Sequence, residues 1–250
     1  MKLIKNVKAI SYKNGKHEKT FEEVVYDETT SLIINEKTLR NFSTISDSLE
    51  DFAIGYLIGE GIIKNIDEIE KITLNKNLIK IKTNTMNNED GELILCSDSS
   101  GGERSVIKSV KEVKSDLRIS TEELIENMEK LKENASIWQK TGGTHVAAFV
   151  NNDKNEFIVR EDVSRHVAVD KAIGSAARKK LDFSKSYIIY SGRMPADMVI
   201  KIVRAGIPIL ASNAAPSFSG YTTAKAGNIT LVGFIRDNRF NVYSCTNRII

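Results

Sequence analysis

Thr141-Gly142-Gly143-Thr144-His145 places paired glycines and a histidine at the start of an apolar strand. Without Cβ atoms there, a ligand or another backbone can come close, and the imidazole supplies a base or a hydrogen-bonding group. A tight turn with a structural histidine fits the same residues. Arg160-Glu161-Asp162-Val163-Ser164-Arg165-His166 is denser, with five charged or titratable residues in seven positions where an apolar strand gives way to an apolar helix. Ligands of α/β sheets bind at such strand ends. Asp162 reads as a helix cap, while Arg165 and His166 fall in the first turn, where positive charge opposes the helix dipole unless an anion neutralises it. Asp170, four residues on, shares a face with His166 and is placed to orient the imidazole.

Two more junctions have the same character. Ser191-Gly192-Arg193, between a strand and a Pro195 helix, combines free N–H groups, a small turn and a guanidinium into an anion pocket suited to phosphate. Ser212-Asn213-Ala214-Ala215-Pro216-Ser217 follows the next strand and opens on the same edge. Polar loops on one edge suit a ligand with phosphates and a heteroaromatic base.

Cys96, in Ile94-Leu95-Cys96-Ser97-Asp98-Ser99-Ser100-Gly101-Gly102, ends a strand and begins a small, polar run. It reads either as a small hydrophobe or as a thiol on a loop able to accept and release sulfur. Cys245 is expected to be inert. Zinc is not expected: His145 is followed by Val146 and Ala147, not by the glutamate of a deaminase, and no CxxC pair occurs.

The elements that must hold these residues follow from periodicity. Residues 3–12 and 18–26 suggest a hairpin about Asn14-Gly15, and Ser31–Asn35 a short strand. Asp47 to Glu50 reads as a capping box for a helix over 47–59, with Leu49, Phe52, Ala53, Tyr56 and Leu57 on a buried face. Strands return over 71–83, and a second capped helix starts at Ser120 with Glu123 as reciprocal partner. From Thr141 strands and helices alternate: a hairpin about Asn151–Asp153, a helix over 163–180, strand YIIY, a helix with Pro195 in its first turn, strand IPILASN, a short helix over 217–226 and a hairpin about Asp237-Asn238. This is an α/β layered sheet. The expected division is an N-terminal α+β region over 1–105, a connecting helical segment over 106–140 and an α/β domain over 141–250.

Bulk properties narrow the class. The 250 residues are 41% hydrophobic and 28% charged, with 36 Lys and Arg against 33 Asp and Glu. That balance does not call for a nucleic-acid partner. No apolar run spans a bilayer, the first twenty residues lack the apolar core of a signal peptide, and two cysteines build no disulfide framework. A cytoplasmic protein is expected.

Five stretches in order, DFAIGYLIGEGII, TGGTHVAAF, REDVSRHVAVDKAIG, SGRMPADMVIKIVRAGIPIL and ITLVGFIRDNRFNVYS, resemble the recurring blocks of the FdhD family over nearly the whole chain. The resemblance implies a core of cytidine-deaminase type without zinc, a three-layer α/β/α arrangement on a mixed sheet, a smaller N-terminal region and a homodimer. It implies a carrier that takes persulfide sulfur from a cysteine desulfurase and passes it to the bis-guanylate molybdenum cofactor, Mo-bis(molybdopterin guanine dinucleotide), bound as cargo for apo formate dehydrogenase. It also implies that Phe234, Ile235, Arg236, Asp237, Asn238 and Arg239 bind that cofactor; Arg165, His166 and Arg193, read above as anion-binding residues, would hold its phosphates, and His145 is a further candidate contact. Many members carry Cys-x-x-Cys or Cys-Gly-Gly in the loop after residues 92–95. Aligned on Gly101-Gly102, Ser100 takes the cysteine position; with a shift of four residues, Cys96 takes it. Two functions stay open: a sulfur carrier using Cys96, or a cofactor chaperone without sulfur chemistry. A hydrolase or deaminase using His145 or His166 as base lacks a nucleophile or metal set.

Overall fold

The computed structural model describes residues 3–84 and 110–250. A hairpin of β1 (Ile4–Lys13) and β2 (Lys16–Val25) turns at Asn14-Gly15, whose φ values of 52° and 75° suit a two-residue turn matched to strand twist. β3 (Glu28–Ile34), β4 (Thr38–Thr44), β5 (Ile69–Asn75) and β6 (Leu78–Thr83) form a four-stranded sheet in the order β4-β3-β6-β5. Between β4 and β5 lies α1 (Leu49–Gly59). After α2 (Thr121–Glu133) and α3 (Ser136–Thr141) come β7 (His145–Asn151), β8 (Glu156–Asp162) and α4 (Arg165–Arg178). β9 (Ser186–Tyr190), α5 (Ala196–Ala205), β10 (Ile209–Ser212), α6 (Phe218–Ala226), β11 (Thr230–Arg236) and β12 (Arg239–Ser244) complete the chain.

The six-stranded sheet runs β12-β11-β10-β9-β7-β8 and is mixed: β10 is parallel to β9 and β11, whereas β7 is antiparallel to β8 and β9. Both faces are covered. Phe149, Ile188, Leu210 and Leu231 join α1, α4 and α5 in one apolar cluster, which also takes in Leu32, Ile79 and Ile81 of the small sheet. Ala148, Tyr187, Ile189 and Val232 pack against Leu124, Met128 and Leu131 of α2 on the other face. Each fully buried Leu, Ile or Phe contributes about 1.5–3 kcal/mol. No helix among the described residues is long and apolar enough to cross a membrane, which says nothing of a β-barrel.

Several expectations are corrected. α1 is not buried on one face: every residue except Glu50 is buried, because α4 and α5 lie against it as well as the small sheet. Its capping box is not made. Ser48 has φ 51° and no capping bond, its hydroxyl donating instead to Asp47, while Glu50 lies 3.6 Å from Arg178. Ser120 does cap α2, accepting from the Glu123 N–H at 3.1 Å, but the Glu123 carboxylate accepts from Tyr187 and Asn152 rather than reaching back. The 163–180 helix begins at Arg165, and Pro195 stands before α5, not within its first turn. β4 and α3 appear without an announcing pattern: the pairing of β3 with β4 and the Glu161 carboxylate described below supply what periodicity does not.

α1 crosses α4 backbone to backbone. A Cβ on Gly55 would fall 1.8 Å from the Asp170 carbonyl oxygen, and one on Gly174 would fall 1.9 Å from that of Asp51. Gly55→Ala is therefore expected to lower stability by about 3 kcal/mol in urea unfolding, the upper end of overpacking costs. An unchanged midpoint would mean the helices can part.

Candidate functional site

The charged run at the end of β8 is mostly framework. Arg160 donates to Asp51 at 2.8 Å and to Ser175 at 2.7 Å. Glu161 accepts from the backbone N–H groups of Ile137 and Trp138 and from the Thr144 hydroxyl, so it fixes the start of α3 and the turn before β7. Asp162 is not simply a helix cap. Fully buried, it meets Lys171 at 2.7 Å and accepts from the N–H of Ile45 and of Ser164. Burial pushes its carboxyl upward, against the pull of Lys171 and those N–H groups. Ser164 holds the cap position of α4 without a side-chain cap bond.

Asp170 does not take the role of orienting His166. It pairs with Lys201 at 2.8 Å, and Lys201 also meets Glu60 at 3.0 Å; burial raises the Asp170 carboxyl to about 7. The carboxylate facing His166 is Asp197, at the start of α5, with Oδ2 3.5 Å from Nε2. Asp197 sits 31 positions beyond His166, and no local spacing links them.

Strand register brings the remaining candidates to one edge. His145 lies opposite Asp162, Ala147 opposite Tyr190, and Tyr190 opposite Ser212, while β11 runs parallel to β10 and ends at Arg236 on the same side. The loops are laced together. Ser191 Oγ accepts from the Val146 N–H at 3.0 Å and lies 3.3 Å from His145 Nδ1. The Ser212 hydroxyl donates to the Gly192 carbonyl at 2.7 Å, Met194 N–H to Ala215, and Phe234 N–H to Ala214. Buried Tyr190 donates to the Arg193 carbonyl, and burial holds its phenol well above the usual range. Arg165 packs on Gly192, where a Cβ would fall 3.0 Å from its own Cβ. Arg193 is exposed.

Two hollows open here. The larger, about 360 Å³, is lined by Met128, Leu131, Lys132, Trp138, Gly142, Gly143, His145, Ser191 and Asn213 among others. The smaller, about 190 Å³, is lined by Phe234, Arg236, Arg239, Phe240 and Asn241. Arg236 stacks over Phe234 at 5.4 Å, Asp237 and Asn238 form the exposed turn with φ 52° and 56°, and Ile235 is buried in the core. The two hollows share no lining residue, so the sequence candidates divide: His145 borders one, Phe234, Arg236 and Arg239 the other, and Arg165 and His166 lie buried between strands and α5. Lys132 and Trp138 were invisible as site residues, although Trp138 is the single tryptophan in the chain. Cys96 lies outside the described residues. Cys245 is a partly buried free cysteine just after β12.

The model of the FdhD/NarQ family matches residues 25–250. The chain belongs to this family. It is 46% identical over 230 residues, 92% of each chain, to the sulfur carrier protein FdhD of Methanothermobacter thermautotrophicus. It is 33% identical over 249 residues, 98% of each chain, to the protein of the same name from Sulfolobus acidocaldarius. A crystal structure from Desulfotalea psychrophila, provisionally described as a formate dehydrogenase accessory protein, superposes with a TM-score of 0.81 at 25% identity, covering all of both chains. In this family member the buried Asp162–Lys171 pair ties α4 to Ile45, since Lys171 also donates to the Ile45 carbonyl at 3.2 Å. Lys171→Met leaves a buried carboxylate without its cation and is expected to cost about 3–5 kcal/mol in urea unfolding. A loss below about 1 kcal/mol would show that the pair is not needed for the edge to form.

Proposed function

We propose that this chain is a formate dehydrogenase accessory sulfur carrier. It takes sulfane sulfur from a cysteine desulfurase and passes it to the bis-guanylate molybdenum cofactor, bound as cargo for the apoenzyme. The observation that carries the reading is end-to-end similarity to relatives named sulfur carrier proteins, 46% identical over 92% of both chains. The geometry is compatible with it. A basic hollow with Arg236 and Arg239 suits phosphate groups, and the larger hollow, lined by Trp138, His145 and Asn213 among others, suits a planar ring. The same reading includes the cytidine-deaminase kinship of the core, a cytoplasmic setting and a homodimer.

In the sulfur step the Cys96 thiolate attacks the terminal sulfur of the desulfurase persulfide. The donor S–S bond breaks, a new one forms on Cys96, and the donor cysteine leaves as thiolate. A chaperone that only carries the cofactor is the second reading, favoured by Ser100 standing before Gly101-Gly102, since a serine hydroxyl holds no persulfide.

Incubation with desulfurase and cysteine is expected to add about 32 Da per sulfur to the intact mass, and Cys96→Ala to abolish the gain. No gain in the wild type, with nucleotide binding intact, would leave the chaperone. Arg236→Ala and Arg239→Ala are each expected to weaken GDP binding, read by calorimetry, by roughly tenfold, the loss of one charge-assisted contact. Unchanged affinity in both would remove the smaller hollow from the cargo site.

A further inference from the structure

Tyr190 ends β9 fully buried, yet its hydroxyl reaches forward to the loop that follows. A buried hydroxyl without a partner carries the whole cost of its desolvation. The partner here is the Arg193 carbonyl, three residues on. Burial holds the phenol well above its usual range, against the pull of Arg165, so the hydroxyl stays a donor.

The loop is pinned residue by residue. The Gly192 carbonyl accepts from the Ser212 hydroxyl at 2.7 Å. The Met194 N–H donates to the Ala215 carbonyl at 3.1 Å, and the Met194 carbonyl accepts from the Ser217 N–H at 3.2 Å. Among the described residues, the bond that reaches residue 193 itself is the one from Tyr190. The peptide unit between Arg193 and Met194 is therefore held at both ends, its oxygen by Tyr190 and its N–H by Ala215. Gly192 leaves room for the tyrosine beneath the loop, since a Cβ there would fall 2.8 Å from the Tyr190 ring. Gly192 and Met194 are buried and Arg193 is exposed, so a fixed backbone carries a cation outward. Ser191, two residues earlier, lines the larger hollow, as does Asn213.

We propose that Tyr190 is a positioning residue for Arg193: the buried hydroxyl sets the backbone from which the guanidinium meets a phosphate group of a nucleotide at this edge. This role rests on the reading that the edge takes nucleotide cargo. Its physical basis is preorganisation. An arginine on a loose loop gives up backbone as well as side-chain freedom when it closes on an anion, whereas here folding has already fixed the backbone. Phenylalanine at 190 keeps the ring and its packing and removes the donor alone, so both apolar clusters persist.

Two measurements on the full chain test this, and the first needs no ligand. Trypsin cuts after Arg193 only when the loop leaves its seat. Cleavage of the Arg193–Met194 bond, followed by mass spectrometry, is expected to run about tenfold faster in Tyr190→Phe. Cleavage after Lys179 and Lys180, beyond the end of α4, is expected to keep its wild-type rate and serves as the folding control. The second is a cycle of GDP affinities read by calorimetry. Arg193→Ala is expected to weaken binding about tenfold and Tyr190→Phe about fivefold, with the double variant no weaker than Arg193→Ala alone. A tyrosine that only supported the fold would weaken both backgrounds equally. Equal losses in both backgrounds overturn the proposal, as does cleavage after Arg193 at the wild-type rate. An unchanged affinity in Arg193→Ala overturns it too, and leaves Arg236 and Arg239 as the cargo contacts. A wild type that binds no GDP fails the cargo reading, and the cleavage rates still decide whether Tyr190 holds Arg193.

Discussion

The contact of α1 with α4 at Gly55 and Gly174 fixes the rest of the molecule. With no side chain between them the two backbones meet, so one helix cannot shift without moving the other. α1 carries the four-stranded sheet on its far side, and α4 lies on the six-stranded sheet. The glycine contact therefore sets one sheet against the other. It also buries acids that flank it and meet cations: Asp51, reached by half-exposed Arg178 and partly buried Arg160, and Asp170, paired with buried Lys201, while Lys171 of the same helix pairs with buried Asp162.

Buried charges are costly unless paired, and these pairs have little freedom to rearrange. Asp162 is held by a cation from α4 and by N–H groups from the end of the small sheet and the start of α4. Glu161 beside it holds the start of α3. Through these two neighbours the end of β8 fixes the entry to α4, and so the positions of Arg165 and His166, together with the Trp138 side of the larger hollow. The loops after β9 and β10 are tied to each other and to Phe234 by backbone bonds. The edge is a rigid frame with exposed groups such as Arg193, Arg236 and Arg239 mounted on it. Functional groups need that kind of support, because their geometry is only as firm as the elements behind them.

The amino-terminal ribbon has the opposite character. Elsewhere most large apolar side chains enter two cores, whereas here Tyr12 and Phe21 stand open on a strand pair with no third strand among the described residues.

Alternation and helical spacing are local properties of a chain, so the elements and their order from residue 141 onward were legible before any fold was known. The family was legible too, through blocks that keep their order, and so was the edge on which polar loops gather, since parallel strands must end on one side. Charge pairs were not, because the partners lie far apart: Lys171 and Ile45 are separated by 126 positions, Arg160 and Asp51 by 109. For that reason the charged run from Arg160 to His166 read as a ligand-binding junction although Arg160, Glu161 and Asp162 are held in framework contacts, and Asp170 read as the partner of His166 although Asp197 faces it. Burial of α1 on nearly every side was hidden likewise, since the helix that Gly55 admits is formed by residues 165–178, which meet it only in the folded chain. Which charges remain available to a ligand was settled by packing alone, because packing determines which of them are already neutralised.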